Sequence, residues 1–272
     1  MAATQFPTAN TVRTESLSEM FVDAKVAAKK RKLKIGIWGD TETGKTHFAL
    51  TCPEPIYIID TERGVEPLIK KFANKDIKIC KIYPESGNAA EYDPIKYLEK
   101  AEKAINSLQG LSEGTIVIDS GSDLWDWCEA YMKQQIAEQA RKMCQWDWGI
   151  ANDKYHQLLM KCVIADTVFV ITAQPKPVYA GAGQPTGEYI ADWMKKTRFW
   201  VDVLIRTEKR WIPTPGSTVS LTSRDPRLPQ PKNVRYVAVI EKCRPERQFN
   251  LEIEDLTYDK LVEALKPHLW WL

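Results

Sequence analysis

Residues 39–46 read Gly-Asp-Thr-Glu-Thr-Gly-Lys-Thr, and no other stretch constrains the chain as tightly. They fit the spacing G-x-x-x-x-G-K-[ST]. The two glycines let the backbone curl so that its N–H groups point inward, toward phosphate. A helix starting at Lys45 adds its positive N-terminal end to that field. Lys45 supplies a point charge for β- and γ-phosphates, and Thr46 a hydroxyl for Mg2+. The candidate nucleotide-binding residues are therefore Gly39, Asp40, Thr41, Glu42, Thr43, Gly44, Lys45, Thr46 and His47. An ordinary glycine turn is the alternative. The apolar strand before the loop (Leu33–Gly39, LKIGIWG) and the helix after it (THFAL) speak against that.

Such a loop needs a metal-side acid at the end of another buried strand. Ile116-Val117-Ile118-Asp119-Ser120 provides one, with Asp119 holding Mg2+ through water. A strand-end Asp also serves as a helix cap or turn residue. The residue after Asp119 is Ser120, where many simple ATPases of this class carry a Glu that serves as the base. The base must come from elsewhere. Glu62, in the stretch YIIDTERG, stands two residues past the strand that follows the phosphate-loop helix. Parallel strands end at one edge of their sheet, beside the phosphates. A carboxylate there can orient and deprotonate an attacking water. The plainer reading is a solvated turn carboxylate paired to Arg63.

Strands and helices alternate along the chain. Strands are expected at Leu33–Gly39, Pro55–Asp60, Ile77–Tyr83, Gly114–Ser120 and Asp166–Gln174. A helical stretch is expected around Val65–Phe72, and helices at Asp93–Gly110, over Asp123–Lys142 and from about Asn152. Phe199–Trp211 and Val234–Arg244 read as later, antiparallel strands. The pattern means an α/β fold with a mostly parallel sheet. Pro213–Asn233, with five prolines, reads as a loop, and the tail from Leu256 as a short amphipathic helix. Residues 1–32 form a loose segment and a basic helix, 33–212 the core, and 213–272 a part that completes the same domain. No internal repeat is visible.

Composition narrows the function classes. The net charge of +2 leaves nucleic-acid affinity to local patches. Six cysteines stand singly and three histidines are scattered, so neither a zinc site nor a disulfide framework is indicated. No apolar run approaches the roughly 18 residues of a membrane span, and the start lacks a secretory pattern.

Taken together, the motifs resemble the RecA-like ATPases over about Lys32 to Lys209. That family places its catalytic Glu in an Asp-x-Glu, matched by Asp60-Thr61-Glu62. Its second motif is an apolar run ending in Asp-Ser, matched by Ile116–Ser120. Its next core strand ends in a Gln that senses the γ-phosphate and leads into a DNA-binding loop, matched by Thr172-Ala173-Gln174. The resemblance implies a RecA-like phosphate-loop NTPase core with C-terminal antiparallel strands, hydrolysing ATP with Mg2+. Gln174 then joins Glu62 and Lys45 as catalytic. The domain size, the TERG segment and the Trp-Asp-Trp-Gly loop look most like enzymes of phages and archaeal viruses, some acting in single-strand annealing and recombination. A cytoplasmic place inside a host cell follows from that likeness.

RecA-like ATPases work as rings or filaments, hexameric or helical, with ATP between subunits. Lys242 and Arg244, in EKCR, resemble the paired cations that hexameric relatives project across the interface; a solvated strand end is the alternative. Arg206 and Lys209 are weaker candidates. Two segments occupy the places of mobile DNA loops. Residues 141–157 carry Arg141, Lys142, Trp146, Trp148 and Lys154, and residues 175–198 carry Lys176, Tyr179, Lys195, Lys196 and Arg198. Aromatic stacking with basic tracking of phosphates is the general design for single strands. The tryptophans fit core or interface packing equally well, and the loops are mixed in charge. The run Lys29–Lys34 can touch phosphate or close a solvated helix end. The expected function is ATP hydrolysis on single-stranded DNA in recombination, annealing or replication. The alternative is an ATPase that drives a protein assembly without DNA contact.

Overall fold

The computed structural model describes residues 21, 30–84, 91–212, 234–246, 249–269 and 271. Most of residues 1–32, with the basic helix expected there, the loop Pro213–Asn233 and Trp270 lie outside them. The chain divides into two units. In the first, residues 1–31 with Trp271, the Arg31 guanidinium lies 4.4 Å from the Trp271 ring centre. The second, residues 32–270 with Leu272, carries the sheet and the helices.

Its first strands form where apolar residues dominate a short run. β1 (Lys34–Gly39) leads through the glycine loop into α1 (Lys45–Ala49). β2 (Ile56–Asp60) and β3 (Ile77–Lys81) follow. α2 (Pro94–Ser107) starts where Asp93 accepts hydrogen bonds from the N–H groups of Ile95 and Lys96, with proline at the first position. β4 (Thr115–Asp119) precedes α3 (Gly121–Glu138), and α4 (Trp148–Ile164) precedes β5 (Val168–Ala173). Every residue of β1, β4 and β5 is buried, as expected of parallel strands covered on both faces. Trp38, Ile59, Ile118 and Ile171 pack one face against Leu98, Trp125, Tyr155 and Leu158 of α2, α3 and α4.

Next come the hairpin β6 (Pro175–Tyr179) and β7 (Pro185–Ala191), and the helical turn α5 (Thr197–Trp200). β8 (Val203–Trp211), β9 (Val234–Cys243), β10 (Leu251–Glu254) and α6 (Tyr258–Leu265) complete the order. Among the described residues, eight strands form one sheet in the order β10-β9-β8-β1-β5-β4-β2-β3. β8, β1, β5, β4, β2 and β3 run parallel, and β9 and β10 are antiparallel. This is the RecA-like arrangement: a mostly parallel sheet flanked by helices and finished by antiparallel strands.

Three local expectations change. β8 and β9 pair antiparallel as expected, but on its other edge β8 runs parallel to β1, with Ile35 opposite Val203. It begins at Val203, because Thr197–Trp200 turn as a helix. The Gly/Pro-rich stretch after Gln174 is a paired hairpin rather than a loop, with Lys176 opposite Ile190.

Candidate functional site

The phosphate loop closes on itself around Lys45. Its Nζ donates to the carbonyl oxygens of Gly39 (2.7 Å) and Asp40 (2.9 Å). Burial pushes this ammonium's pKa down, while Glu62, Asp119 and Asp40 pull it up. Gly44 takes φ +97° to start α1, a conformation glycine adopts without steric cost. A Cβ on Gly39 would fall 2.3 Å from the Thr207 carbonyl oxygen, so only glycine lets β1 and β8 approach here. Thr207 also braces the loop, its Oγ1 lying 2.7 Å from that of Thr43.

Asp119 ends β4 with its side chain free for the site, because Ser120 does the capping. Ser120 Oγ accepts from Asp123 N at 3.3 Å and begins α3. Asp119 itself is buried to 1 % exposure, and burial raises its pKa to about 6 against hydrogen bonds from Thr172 and Thr46. Thr46 Oγ1 donates to Asp119 Oδ2 at 2.6 Å, and Thr172 Oγ1 donates to Oδ1 at 2.5 Å. The first pair sets a hydroxyl and a carboxylate side by side. Such hard oxygen donors suit Mg2+ better than softer metals.

The turn after β2 is fixed from below. Asp60 is buried and accepts from Gly64 N (3.1 Å) and Val65 N (3.4 Å). Thr61 donates through its N–H to the Asp119 carbonyl at 2.7 Å and through its hydroxyl to Asp123. Glu62 is thereby held exposed at the sheet edge, where Gln174 Nε2 donates to its Oε1 at 2.7 Å. The two groups proposed from separate motifs, 112 residues apart, meet. Gln174 in turn donates its backbone N–H to Ser122 Oγ (3.0 Å), and Ser122 donates to the Asp192 carbonyl (2.6 Å), at the base of the hairpin.

Asp40 to His47, Glu62 and Gln174 line one cavity of about 1030 Å3. His47 edges onto Phe72 at 5.1 Å between ring centres, and burial lowers its pKa.

Lys242 and Arg244 do not join them. Lys242 pairs with Leu204, near the start of β8, whereas Thr207 of that strand lies opposite Gly39. The pair therefore sits at the far edge of the sheet from this chain's own phosphate loop. Lys242 Nζ donates to the carbonyls of Arg198 (2.5 Å) and Val201 (2.6 Å), and burial lowers its pKa to about 8. Lys209, by contrast, reaches the phosphate loop and pairs with Glu42 at 2.7 Å. Arg206 pairs with Glu241.

The basic residues of the candidate DNA segments are partly neutralised. Arg141 pairs with Asp147, Lys154 with Glu102, and Lys176 with Asp192. Lys142, Lys195, Lys196 and Arg198 are exposed, as is Trp146 at 89 %. Of the run 29–34, Lys34 is buried in β1 and donates to the carbonyls of Ala165 and Thr167, so it offers nothing to a phosphate backbone.

Thr207 and Ser122 carry no signal in the sequence, and Thr172 enters there only as part of Thr172-Ala173-Gln174, without a role of its own. A lone hydroxyl in an apolar strand, as in VFVITAQ, was the available signal for Thr172.

A family model described as an AAA domain matches residues 31–206. No curated protein matches. The structure is similar to a KaiC-like protein of Pyrococcus horikoshii OT3, at 12 % identity and TM-score 0.41, covering 84 % of this chain and 87 % of that one. It is also similar to the flagellar accessory protein FlaH of Methanocaldococcus jannaschii, at 13 % identity and TM-score 0.43, over 83 % and 86 %. An ATPase from the type III secretion system of pathogenic bacteria aligns at 12 % identity and TM-score 0.44, over 65 % and 51 %.

Proposed function

The chain belongs to the AAA-domain family, and from that premise we propose an oligomeric RecA-like ATPase that hydrolyses ATP and acts on single-stranded DNA. One observation carries the catalytic part of this reading. Lys45, the Thr46–Asp119 pair and the Glu62–Gln174 pair converge at the carboxyl edge of the sheet. Thr46, and Asp119 through water, would hold Mg2+, which when bound neutralises charge on the β- and γ-phosphates. Lys45 leaves the loop carbonyls to bind those phosphates. Glu62 orients the attacking water and takes its proton. Gln174 holds Glu62 before the γ-phosphate arrives, and its link through Ser122 ties the site to the hairpin. The exposed Tyr179 and Tyr189 of that hairpin offer stacking faces for bases. Lys242 and Arg244 would serve only a neighbouring subunit's nucleotide, reached from the opposite sheet edge. Recombination or annealing in a viral setting is the process we assign.

Steady-state ATP hydrolysis with and without single-stranded DNA tests this on wild type and Glu62→Gln. Turnover stimulated by DNA, and reduced about 100-fold or more in the variant with ATP binding retained, is expected. Turnover indifferent to both would remove the base assignment and the DNA.

The pairing of Arg141, Lys154 and Lys176 with acids favours a second reading: an ATPase that switches a protein assembly. It predicts ATP-dependent oligomers whose size and turnover ignore DNA.

A further inference from the structure

The cavity is larger than a triphosphate needs, and its lining does not stop at the phosphate loop. At about 1030 Å3 it lies at the top of the usual range for small-molecule sites. Beyond the loop its wall is built by β9 and the β10–α6 connection, residues outside the stretch matched by the family model.

Register fixes where that wall stands. Gly39 lies opposite Thr207, and Thr207 opposite Ala238. β9 therefore passes the phosphate loop at the same level, two strands away. Tyr236 precedes Ala238 by two residues, on the sheet face that Ala238 and Thr207 share. It is opposite Lys209, whose ammonium holds Glu42 of the loop. The Tyr236 side chain is 42 % exposed, so it is not a core aromatic. Asp255 follows β10 at φ +48°, and its N–H donates to the Tyr236 carbonyl at 3.0 Å. Lys260 Nζ donates to the carbonyls of Glu254 (2.9 Å) and Asp255 (3.0 Å) and locks this turn. Leu256 and, from the turn after β2, Leu68 add apolar surface to the same cavity.

A flat aromatic, apolar neighbours and an acceptor-only carboxylate on a locked turn match the nucleoside half of a nucleotide. We infer that Tyr236 and Asp255 form the nucleoside subsite of this chain. Tyr236 stacks on the base, Leu256 packs beside it, and Asp255 accepts from the nucleoside's hydroxyl or amino donors. The inference rests on the phosphate loop binding a nucleoside triphosphate. It adds that one chain holds both ends of that ligand.

Calorimetric titration of the full chain with ATP and with inorganic tripolyphosphate, each with Mg2+, tests it. Wild type is expected to bind ATP more tightly than tripolyphosphate. Tyr236→Ala should weaken ATP about tenfold, the size of one lost base–aromatic stack, and leave tripolyphosphate unchanged. Tyr236→Phe should restore ATP affinity. Asp255→Asn keeps a residue that tolerates positive φ and should weaken ATP without weakening tripolyphosphate. Circular dichroism confirms that each variant is folded. Equal wild-type affinity for the two ligands would overturn the inference. So would a folded Tyr236→Ala that binds ATP normally, or that loses both ligands equally. Tight, Tyr236-dependent ATP binding without any hydrolysis would sink the ATPase reading and leave the subsite standing. No binding of either ligand would sink both.

Discussion

Asp119 shows how one residue is made available for chemistry. Its neighbour Ser120 caps α3, and the hydroxyls of Thr46 and Thr172 take one carboxylate oxygen each. Both Asp119 and Thr172 are essentially inaccessible to solvent. A buried carboxylate oxygen left without its donor costs about 1–3 kcal/mol. Thr172→Val keeps the shape and removes the donor, so its urea midpoint should fall by that equivalent. An unchanged midpoint would mean that water replaces the hydroxyl. Lys45, Thr46, Asp119, Glu62 and Gln174 were legible in the sequence because each sits at a fixed offset from a glycine loop or a strand end. Thr172 and Thr207 were not. Their value lies in partners on other strands, and a hydroxyl in an apolar run carries no mark of what it will face.

Elements were legible where one signal dominated. The runs of β1, β4 and β5 are dominated by apolar residues, and the Asp93-Pro94 start of α2 is a local cap. The hairpin β6–β7 was hidden because Pro175, Pro177, Gly181, Gly183 and Pro185 read as a loop. A two-stranded sheet has only edges, where proline is tolerated, and Pro177 pairs with Tyr189. β10, four residues long, was too short to register. The connection from α3 to α4 has its own fastening. Asp147 accepts from Arg141 at 2.7 and 2.5 Å and from Cys144 N at 2.7 Å. The Arg141 guanidinium, with the Cys144 N–H, holds this carboxyl well below the usual carboxylate range. A depressed folded value contributes stability above the unfolded pKa, about 3.9, and loses it as the pH falls further. Asp147→Asn should therefore melt below wild type at pH 7, with the gap closing as the pH drops under about 4. A gap independent of pH would show that packing, not charge, fastens the turn.

At the scale of the molecule, the sheet turns at β8. That strand is parallel to β1 on one side and antiparallel to β9 on the other. The reversal carries Tyr236 and Ala238 to the phosphate edge and Lys242 and Arg244 to the opposite one. Sequence offsets alone cannot show this, because direction is set by pairing and not by composition. We propose that the reversal makes the C-terminal strands part of the same cooperative body. Val237, Val239, Ile240, Leu261 and Leu265 are all buried. At about 1.5–3 kcal/mol for each such side chain, their burial is on the order of 10 kcal/mol, comparable with the whole net stability of a domain. Without β9, the long edge of β8 would also present unpaired N–H and C=O groups to other chains. A chain ending at residue 212 should accordingly aggregate or fail to fold. In the full chain, tryptophan fluorescence, to which the buried Trp38, Trp125, Trp127 and Trp193 contribute, and far-ultraviolet circular dichroism should unfold along one curve in urea. A soluble, monomeric 1–212 fragment with an unchanged melting temperature would show that β9, β10 and α6 are an appendage. The nucleoside wall would then be a separable device, and ATP would lose its base contacts in the fragment while keeping those to its phosphates.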